Sequence, residues 1–438
     1  MASACSAAEP LETRTTRHPA YAILTGFLVS VFFLNGGAAN TTAILCFVAA
    51  WALIIYEART GTLSVPSIAP ILLAFLTAIN LRLLLPPYGA DGVVAGAAIT
   101  RGLLLVGLYG LTLYAYARLR FQAILWLLVG TAFVCTIVSL AVYAFHPPTD
   151  YRLVFLGRAA HPIFGAGAIA TGSIAAITLL AYGNGTHRGR IITVLLAVCA
   201  AALVVGIYLT GSRGPLLALA FALCAAPLAL RSGSRLFLFA SAFGAWALVT
   251  ATVLIEAPIK AALCPAISIA CRDSRRHEVW QASADRILQH PLWGSGYAFR
   301  FEGDVPHAHD AYLGMALHYG IPLGILFICL MVAALSRAAR LRDKQQRFFV
   351  VTMLVFANGF MGSDLSDPVR FFNTHYLFLW LPLFLAMVGD EGDARPQSDA
   401  KPASVAHGHT GSPEPRLSLA TRPKNPGKTP VAPPPGTR

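Results

Sequence analysis

Residues Arg272–Gly324 read RDSRRHEVWQASADRILQHPLWGSGYAFRFEGDVPHAHDAYLGMALHYGIPLG, and they form the one long polar interruption in an otherwise apolar chain. Arginine, histidine and tryptophan are concentrated there, between two hydrophobic runs, so chemistry is expected there. What surrounds the stretch decides the fold. Of 438 residues, 56% are hydrophobic and only 12% are charged, which leaves too little polar surface to coat a water-soluble domain. The expected fold is an all-α polytopic membrane protein.

Apolar runs of about 17 to 25 residues, the length that crosses a hydrocarbon core roughly 30 Å thick, number about twelve. They fall at approximately 20–36, 41–57, 66–84, 93–116, 121–145, 162–182, 191–209, 215–230, 236–256, 317–336, 347–363 and 371–388. The net charge of +13 does not mark a nucleic-acid binder, because no basic patch with interleaved aromatics is present. Part of it follows topology. Arg59, then Arg118 and Arg120, Arg188 and Arg190, Arg231 and Arg235, and finally Arg337, Arg340, Arg342, Lys344 and Arg347 occupy every second connection, which reads as the cytoplasmic side. Both termini are then expected inside. The first run begins after Arg14 and Arg17 with no cleavage pattern, so the first span itself directs insertion.

The expected organisation is a polar head over residues 1–18, one membrane domain over 19–388 with a large exported loop containing short helices at 257–316, and a disordered tail over 389–438 rich in Pro, Ser, Gly, Lys and Arg. Cys5 lies in the head, and Cys46, Cys135, Cys199, Cys224 and Cys329 lie within spans, where they read as reduced thiols or small hydrophobes. Cys264 and Cys271 share the exported loop, either as a disulfide or as two thiols.

On the exported side arginine should be scarce if topology alone placed it, yet Arg152, Arg158, Arg213 and Arg370 stand in the small loops. Lys260, Arg272, Arg275, Arg276, Arg286 and Arg300 stand in the large one. Such placement asks for an anionic partner, and the planar guanidinium fork suits phosphate and pyrophosphate oxygens. Solvated surface arginines or contacts to lipid head groups are the plainer alternative. Two more arginines lie deeper. Snorkelling accounts for Arg82, whereas Arg101, about two turns into its span, costs about 2.5–3.5 kcal/mol on insertion scales and points to a wet or anionic cavity.

Four local patterns follow. In Gly211-Ser212-Arg213-Gly214 the glycines allow a sharp turn that presents Arg213 at the mouth of the bundle, with Pro215 in the first turn of the next helix. Over 276–288, Val279, Trp280, Ala284, Ile287 and Leu288 recur at helical spacing as one buried stripe, and Pro291 stops the helix. Trp280 and Trp293 fit the membrane interface, with sugar stacking as the alternative. Gly294 and Gly296 mark a tight turn that could also cradle phosphate, a weak signal with no strand before it. Asp310 is an N-cap, so His309 projects from a helix start, and imidazole has the right affinity to take a proton near neutrality.

Ser212-Arg213-Gly214, then Arg276, Trp280 and Pro291 through Gly296, then His309 through Gly324, taken in order, resemble the bacterial O-antigen ligases. These sit within a wider group that also holds O-antigen polymerases and membrane O-oligosaccharyltransferases. The resemblance is close over 211–324 and architectural elsewhere. The family pattern is His, then Asn, Ser or Gln, nine residues, and Gly-x-x-Gly. Here Asp310 follows the histidine, and the second glycine is Gly324, with Leu323 in the family position. The resemblance implies that His309 is the base and that Arg213 and Arg276 contact pyrophosphate, while Arg101, from its depth in the membrane, Ser212, in the turn beside Arg213, and Trp280, as a stacking surface, are the further expected substrate-binding residues.

It further implies an undecaprenyl-pyrophosphate-linked glycan donor, a lipid A-core acceptor, a bacterial inner-membrane location with the site on the periplasmic side, and no cofactor. Chemistry supports such a division, since a sugar hydroxyl needs help to lose its proton and a pyrophosphate leaving group needs its charge neutralised. No exported DxD pattern or dense Cys/His set is present, so no metal is expected, and His307-x-His309 alone is a bare HxH. A polymerase or a protein-glycosylating member of the same group is the alternative. A transporter is the distant one, and it would predict an internal repeat, which the sequence lacks.

Overall fold

The computed structural model of the protein describes residues 17–65, 67–84, 93–148, 151–183, 189–263, 276–301, 307–362, 364–369 and 371–389. The head before residue 17, the tail from 390, the Cys264–Cys271 pair, and Cys5, Arg188, Arg272, Arg275 and Arg370 lie outside them. The helices are α1 (Arg17–Phe32), α2 (Gly36–Arg59), α3 (Pro70–Leu84), α4 (Val93–Arg118), α5 (Phe121–Phe145), α6 (Pro162–Tyr182), α7 (Arg190–Leu209), α8 (Arg213–Ser232) and α9 (Arg235–Leu254). Two loop helices follow, α10 (Glu256–Leu263) and α11 (Arg276–Gln289). Then come α12 (Ala311–Tyr319), α13 (Ile321–Ala338), α14 (Lys344–Met361), a π-helical turn at Tyr376–Trp380 and α15 (Leu381–Gly389). No strand occurs among the described residues.

Seven helices, α2, α5, α6, α7, α8, α9 and α13, are long and apolar enough to cross a membrane, and α1, α3 and the Tyr376–Gly389 segment are shorter apolar helices. Most expected boundaries agree within a few residues. The tenth span is the exception: instead of one helix over 317–336, the chain breaks at Gly320, whose φ of +93° no side-chain-bearing residue adopts comfortably.

Helices in lipid gain nothing from hydrophobic segregation and must associate by close packing, which small residues permit. Helix α6, with the sequence GAGAIATGSIAA at its heart, does this in the middle of the bundle. A Cβ on Gly167 would lie 2.8 Å from the Phe378 ring, and one on Gly172 only 2.4 Å from the Ala132 methyl. Helix α14 is the second buried axis, with every residue from Phe348 to Met361 withdrawn from the surface. At the C-terminal ends of α2 and α4 a buried charge is satisfied: Glu57 accepts from Arg118 Nε at 2.7 Å and from the Tyr114 hydroxyl at 3.1 Å.

Two pieces of irregular backbone matter most. The turn at Pro291–Gly296 is zipped to the α12–α13 break by main-chain bonds, from Ser295 N to Leu317 O (2.7 Å), Gly296 N to His318 O (3.0 Å) and Ile321 N to Pro291 O (2.8 Å). Gly294 and Gly320, both at positive φ, allow this approach, since a Cβ on either would strike the opposing backbone at 2.6 and 2.1 Å. The second piece, residues 364–369, follows α14 and is buried throughout. A buried loop must satisfy its polar atoms internally. Trp380 Nε1 donates to Pro368 O at 2.7 Å, Val369 N to Asp367 Oδ1 at 3.0 Å, and Asp364 N to Phe360 O at 3.2 Å.

Helix α12 rests on that loop through Gly314. A Cβ at this position would sit 1.6 Å from Ser366 O, far inside van der Waals contact, whereas one on Gly324 meets nothing closer than 3.6 Å. Gly314→Ala should therefore lower the melting temperature of the purified protein sharply, by the equivalent of about 2 kcal/mol or more. Gly324→Ala should leave it within error. Equal melting temperatures for the two variants in a detergent thermal-shift series would refute the contact.

Candidate active site

His309 is fixed from both sides. Before it, Ala308 O accepts from the indole Nε1 of Trp280 at 2.7 Å, which ties the loop to α11. After it, Asp310 caps α12, with Oδ1 accepting from Leu313 N at 2.9 Å and Oδ2 from Trp246 Nε1 at 2.9 Å. Between these anchors His309 takes φ +53°, a left-handed conformation uncommon for a residue other than glycine. Such outliers cost of order 1–3 kcal/mol and concentrate where function demands a geometry. Its Nδ1 is buried and has no hydrogen-bond partner among the described residues. Burial, and then the Arg276 guanidinium, hold the imidazole below its ordinary pKa, while the Asp364 carboxylate opposes them and His161 adds to the depression. Burial and the guanidinium thus favour the neutral ring.

Arg276 opens α11, as the helical spacing predicts, and its Nη2 pairs with Asp364 Oδ1 at 2.5 Å. The expected stripe on α11 is corrected in part: Ser283 and Ile287 are its buried residues, and Ala284 and Leu288 face outward. Arg213 begins α8 after Gly211 at φ +65°, so the sharp turn forms as the glycines require. Its Nη2 lies 2.6 Å from Glu256 Oε1 at the start of α10. Ser212 is occupied in holding this turn, because its Oγ accepts from Arg152 Nη2 at 3.1 Å and Arg152 Nε donates to Thr210 O at 2.7 Å.

Arg101 joins a further cluster. Its guanidinium lies 4.2 Å from the centroid of the Tyr297 ring and 3.8 Å from Asp367 Oδ2. The Tyr319 hydroxyl donates to the same carboxylate at 3.1 and 3.2 Å. The structure thus brings Arg276, His309 and Trp280 together, sets Ser212 and Arg213 on the turn before α8, and places Arg101 against the loop that carries both aspartates.

The Gly294–Gly296 turn cradles no phosphate. Its three amides donate to His290 O, Leu317 O and His318 O, so its glycines serve backbone packing. Among the described residues no group of three or more His, Cys, Asp or Glu side chains stands where it could hold a metal ion.

Several partners escaped sequence reading. Asp364 and Asp367 lie in GSDLSDP between two apolar runs, and acidic residues at a membrane end are signal enough to have been noticed. His161 caps α6 through Nδ1, which accepts from Ile163 N (3.3 Å) and Phe164 N (3.4 Å), so its neutral ring carries the proton on Nε2. The His-Pro pair at a helix start was the available clue.

Residues 195–328 match the family model described as O-antigen ligase. This segment belongs to the O-antigen ligase family. No curated protein matches the chain. The O-antigen ligase segment contains Arg213, Arg276, Trp280 and His309, while Asp364, Asp367, Arg101, Arg152 and His161 lie outside it and are brought to those residues by the fold.

The departure from the family pattern at Asp310 has a local cause. A carboxylate offers two acceptors, one for Leu313 N and one for the Trp246 indole, whereas an amide would turn an NH2 toward that indole. Asp310→Asn should cost about 1–2 kcal/mol of stability. With Trp246→Phe already in place the same substitution should cost far less, and a double-mutant cycle on melting temperature should show this coupling.

Proposed function

We propose that this protein is an O-antigen ligase, moving a glycan from undecaprenyl pyrophosphate to a sugar hydroxyl of lipid A-core. The observation that carries the reading is His309, with Nδ1 buried and without a hydrogen-bond partner among the described residues, held beside the Arg276–Asp364 pair. In the reaction the acceptor oxygen attacks the anomeric carbon as His309 removes its proton. The bond from that carbon to the carrier phosphate breaks, and undecaprenyl pyrophosphate departs with the electron pair, with inversion at carbon. Arg276 and Arg213 neutralise the charge that grows on the leaving group. Each is aimed in advance by a carboxylate, and a guanidinium fork has further donors to offer to phosphate. Arg101, Ser212 and Trp280 act by holding the loops that carry these groups.

The bundle is proposed to span the bacterial inner membrane twelve times. The seven long apolar helices, α1, α3 and the Tyr376–Gly389 segment would be joined by α4 and α14, with 257–316 in the periplasm and both termini in the cytoplasm. A deletion strain should lose long-chain lipopolysaccharide while carrier-linked glycan accumulates. A ladder reduced to single repeats would instead identify the polymerase reading.

His309→Asn should abolish transfer without lowering the melting temperature, because asparagine tolerates the left-handed backbone. Residual transfer within a few-fold of wild type would remove His309 as the base. The acid limb of kcat/KM, which reports the free enzyme, should lie below the ordinary imidazole value of about 6.5, since burial and Arg276 favour the neutral ring. The limb of kcat should lie higher, because bound pyrophosphate favours the imidazolium. Coincident limbs would argue that no anion binds beside the histidine.

Arg276→Ala should raise the KM for carrier-linked glycan or lower kcat, leaving the KM for lipid A-core little changed. Arg213→Lys should be nearly as damaging as Arg213→Ala, since charge is kept but the fork is lost. Full activity of the lysine variant would leave Arg213 a structural residue.

A further inference from the structure

The end of α11 and the turn after it present three large apolar side chains outward: Leu288 is 75% exposed, Leu292 64% and Trp293 53%. The opposite face of α11 is already occupied, with Ser283 and Ile287 buried and the Trp280 indole bonded to Ala308 O. The helix therefore has a second apolar edge that the protein leaves uncovered.

That edge is continuous with surface of a known kind. Arg82, buried in the last turn of α3, donates from Nε to Trp293 O at 2.7 Å, and Ile321 at the start of α13 donates from its amide to Pro291 O at 2.8 Å. These bonds seat the turn on the ends of two bundle helices. Leu81 and Leu84 of α3 and Ile321, Ile325 and Ile328 of α13 are exposed apolar residues, and α13 is long and apolar enough to span. Exposed apolar residues at the ends of these two helices thus stand beside the turn that carries Leu292 and Trp293. An indole at such a border sits where amphipathic rings are favoured, at the head-group level.

We propose that Leu288, Leu292 and Trp293 insert into the bilayer at the boundary between head groups and acyl chains, mooring the loop that carries Arg276 and His309 to the membrane. The partner is the lipid leaflet itself. Since α11 carries Arg276 at its first residue and the inserted edge at its last turn, the mooring sets the height of the anion-binding arginine above the lipid. The inference rests on the bundle spanning a membrane and not on the reaction proposed above, and its test reads no activity.

The protein should be reconstituted in phosphatidylcholine–phosphatidylglycerol nanodiscs, with the Trp293 emission isolated as the difference between wild type and Trp293→Phe. Lipids brominated near the head of the acyl chain should quench that component at least two-fold more than lipids brominated near the terminal methyl, and aqueous acrylamide should scarcely reach it. Leu292→Glu, compared with its own Trp293→Phe partner, should open the component to acrylamide without changing the melting temperature. A Trp293 component quenched by acrylamide and indifferent to bromolipid would overturn the proposal. So would one shielded from both quenchers with two protein copies per disc, which would assign the edge to a second chain. An unchanged quenching pattern in the Leu292→Glu pair would overturn it as well.

Discussion

The contact between the backbone at Gly314 and the carbonyl of Ser366 is the constraint on which the candidate site depends. It places α12 directly on the buried 364–369 loop, with no side chain between them. The histidine and both aspartates hang from these two segments: His309 and Asp310 stand at the start of α12, and Asp364 and Asp367 lie on either side of Ser366. Side-chain packing tolerates small adjustments, but a backbone-on-backbone contact does not. The distance from the histidine to the aspartate that aims Arg276 is thereby set by main-chain geometry.

The architecture was legible because membrane helices announce themselves by length and apolarity, and most of the expected ends lie within about five residues of the observed ones. The tenth span was misread for a physical reason. Hydropathy is nearly continuous across Gly320, so only the backbone angle at one glycine, forced by the approach of the Leu292 carbonyl, separates α12 from α13. The motif residues were legible for a different reason: arginine in connections expected to be poor in it, and histidine before a helix cap, are anomalies of composition. Their partners were fainter signals. Asp364 and Asp367, in a short loop between apolar runs, stand out as acidic residues at a membrane end, but only the fold shows which guanidinium each of them and Glu256 meets. Leu288 failed for a third reason, since a helical repeat reports that an apolar edge exists and cannot say whether protein or lipid covers it.

Electrostatically the site is poised rather than open. Arg276 and Arg213 each face a carboxylate, so the mouth of the bundle shows less positive charge than its arginine count suggests. A buried ion pair gains little net stability once desolvation is charged against it, but it fixes direction well. An anion with several oxygens arriving at such a pair finds a fork already aimed. The same logic applies to His309: a cation near an imidazole discourages its protonation, so the arginine that pairs with Asp364 also favours the neutral ring.

The zipper joining Pro291–Gly296 to the α12–α13 break is made chiefly of amides and carbonyls, with the His318 ring meeting Gly296 O as its one side-chain contribution among those described. Its geometry is therefore blind to most of the side chains it carries, and only the glycines at 294 and 320 are dictated by its closeness. Leu292 and Trp293, both exposed, can be exchanged without disturbing how the histidine-bearing segment is hung, whereas Leu317, buried with Ile287 and Ala308, cannot. A fold hung this way can drift in sequence, retailoring what its surface meets from one lineage to another, and still present the same few groups in the same places.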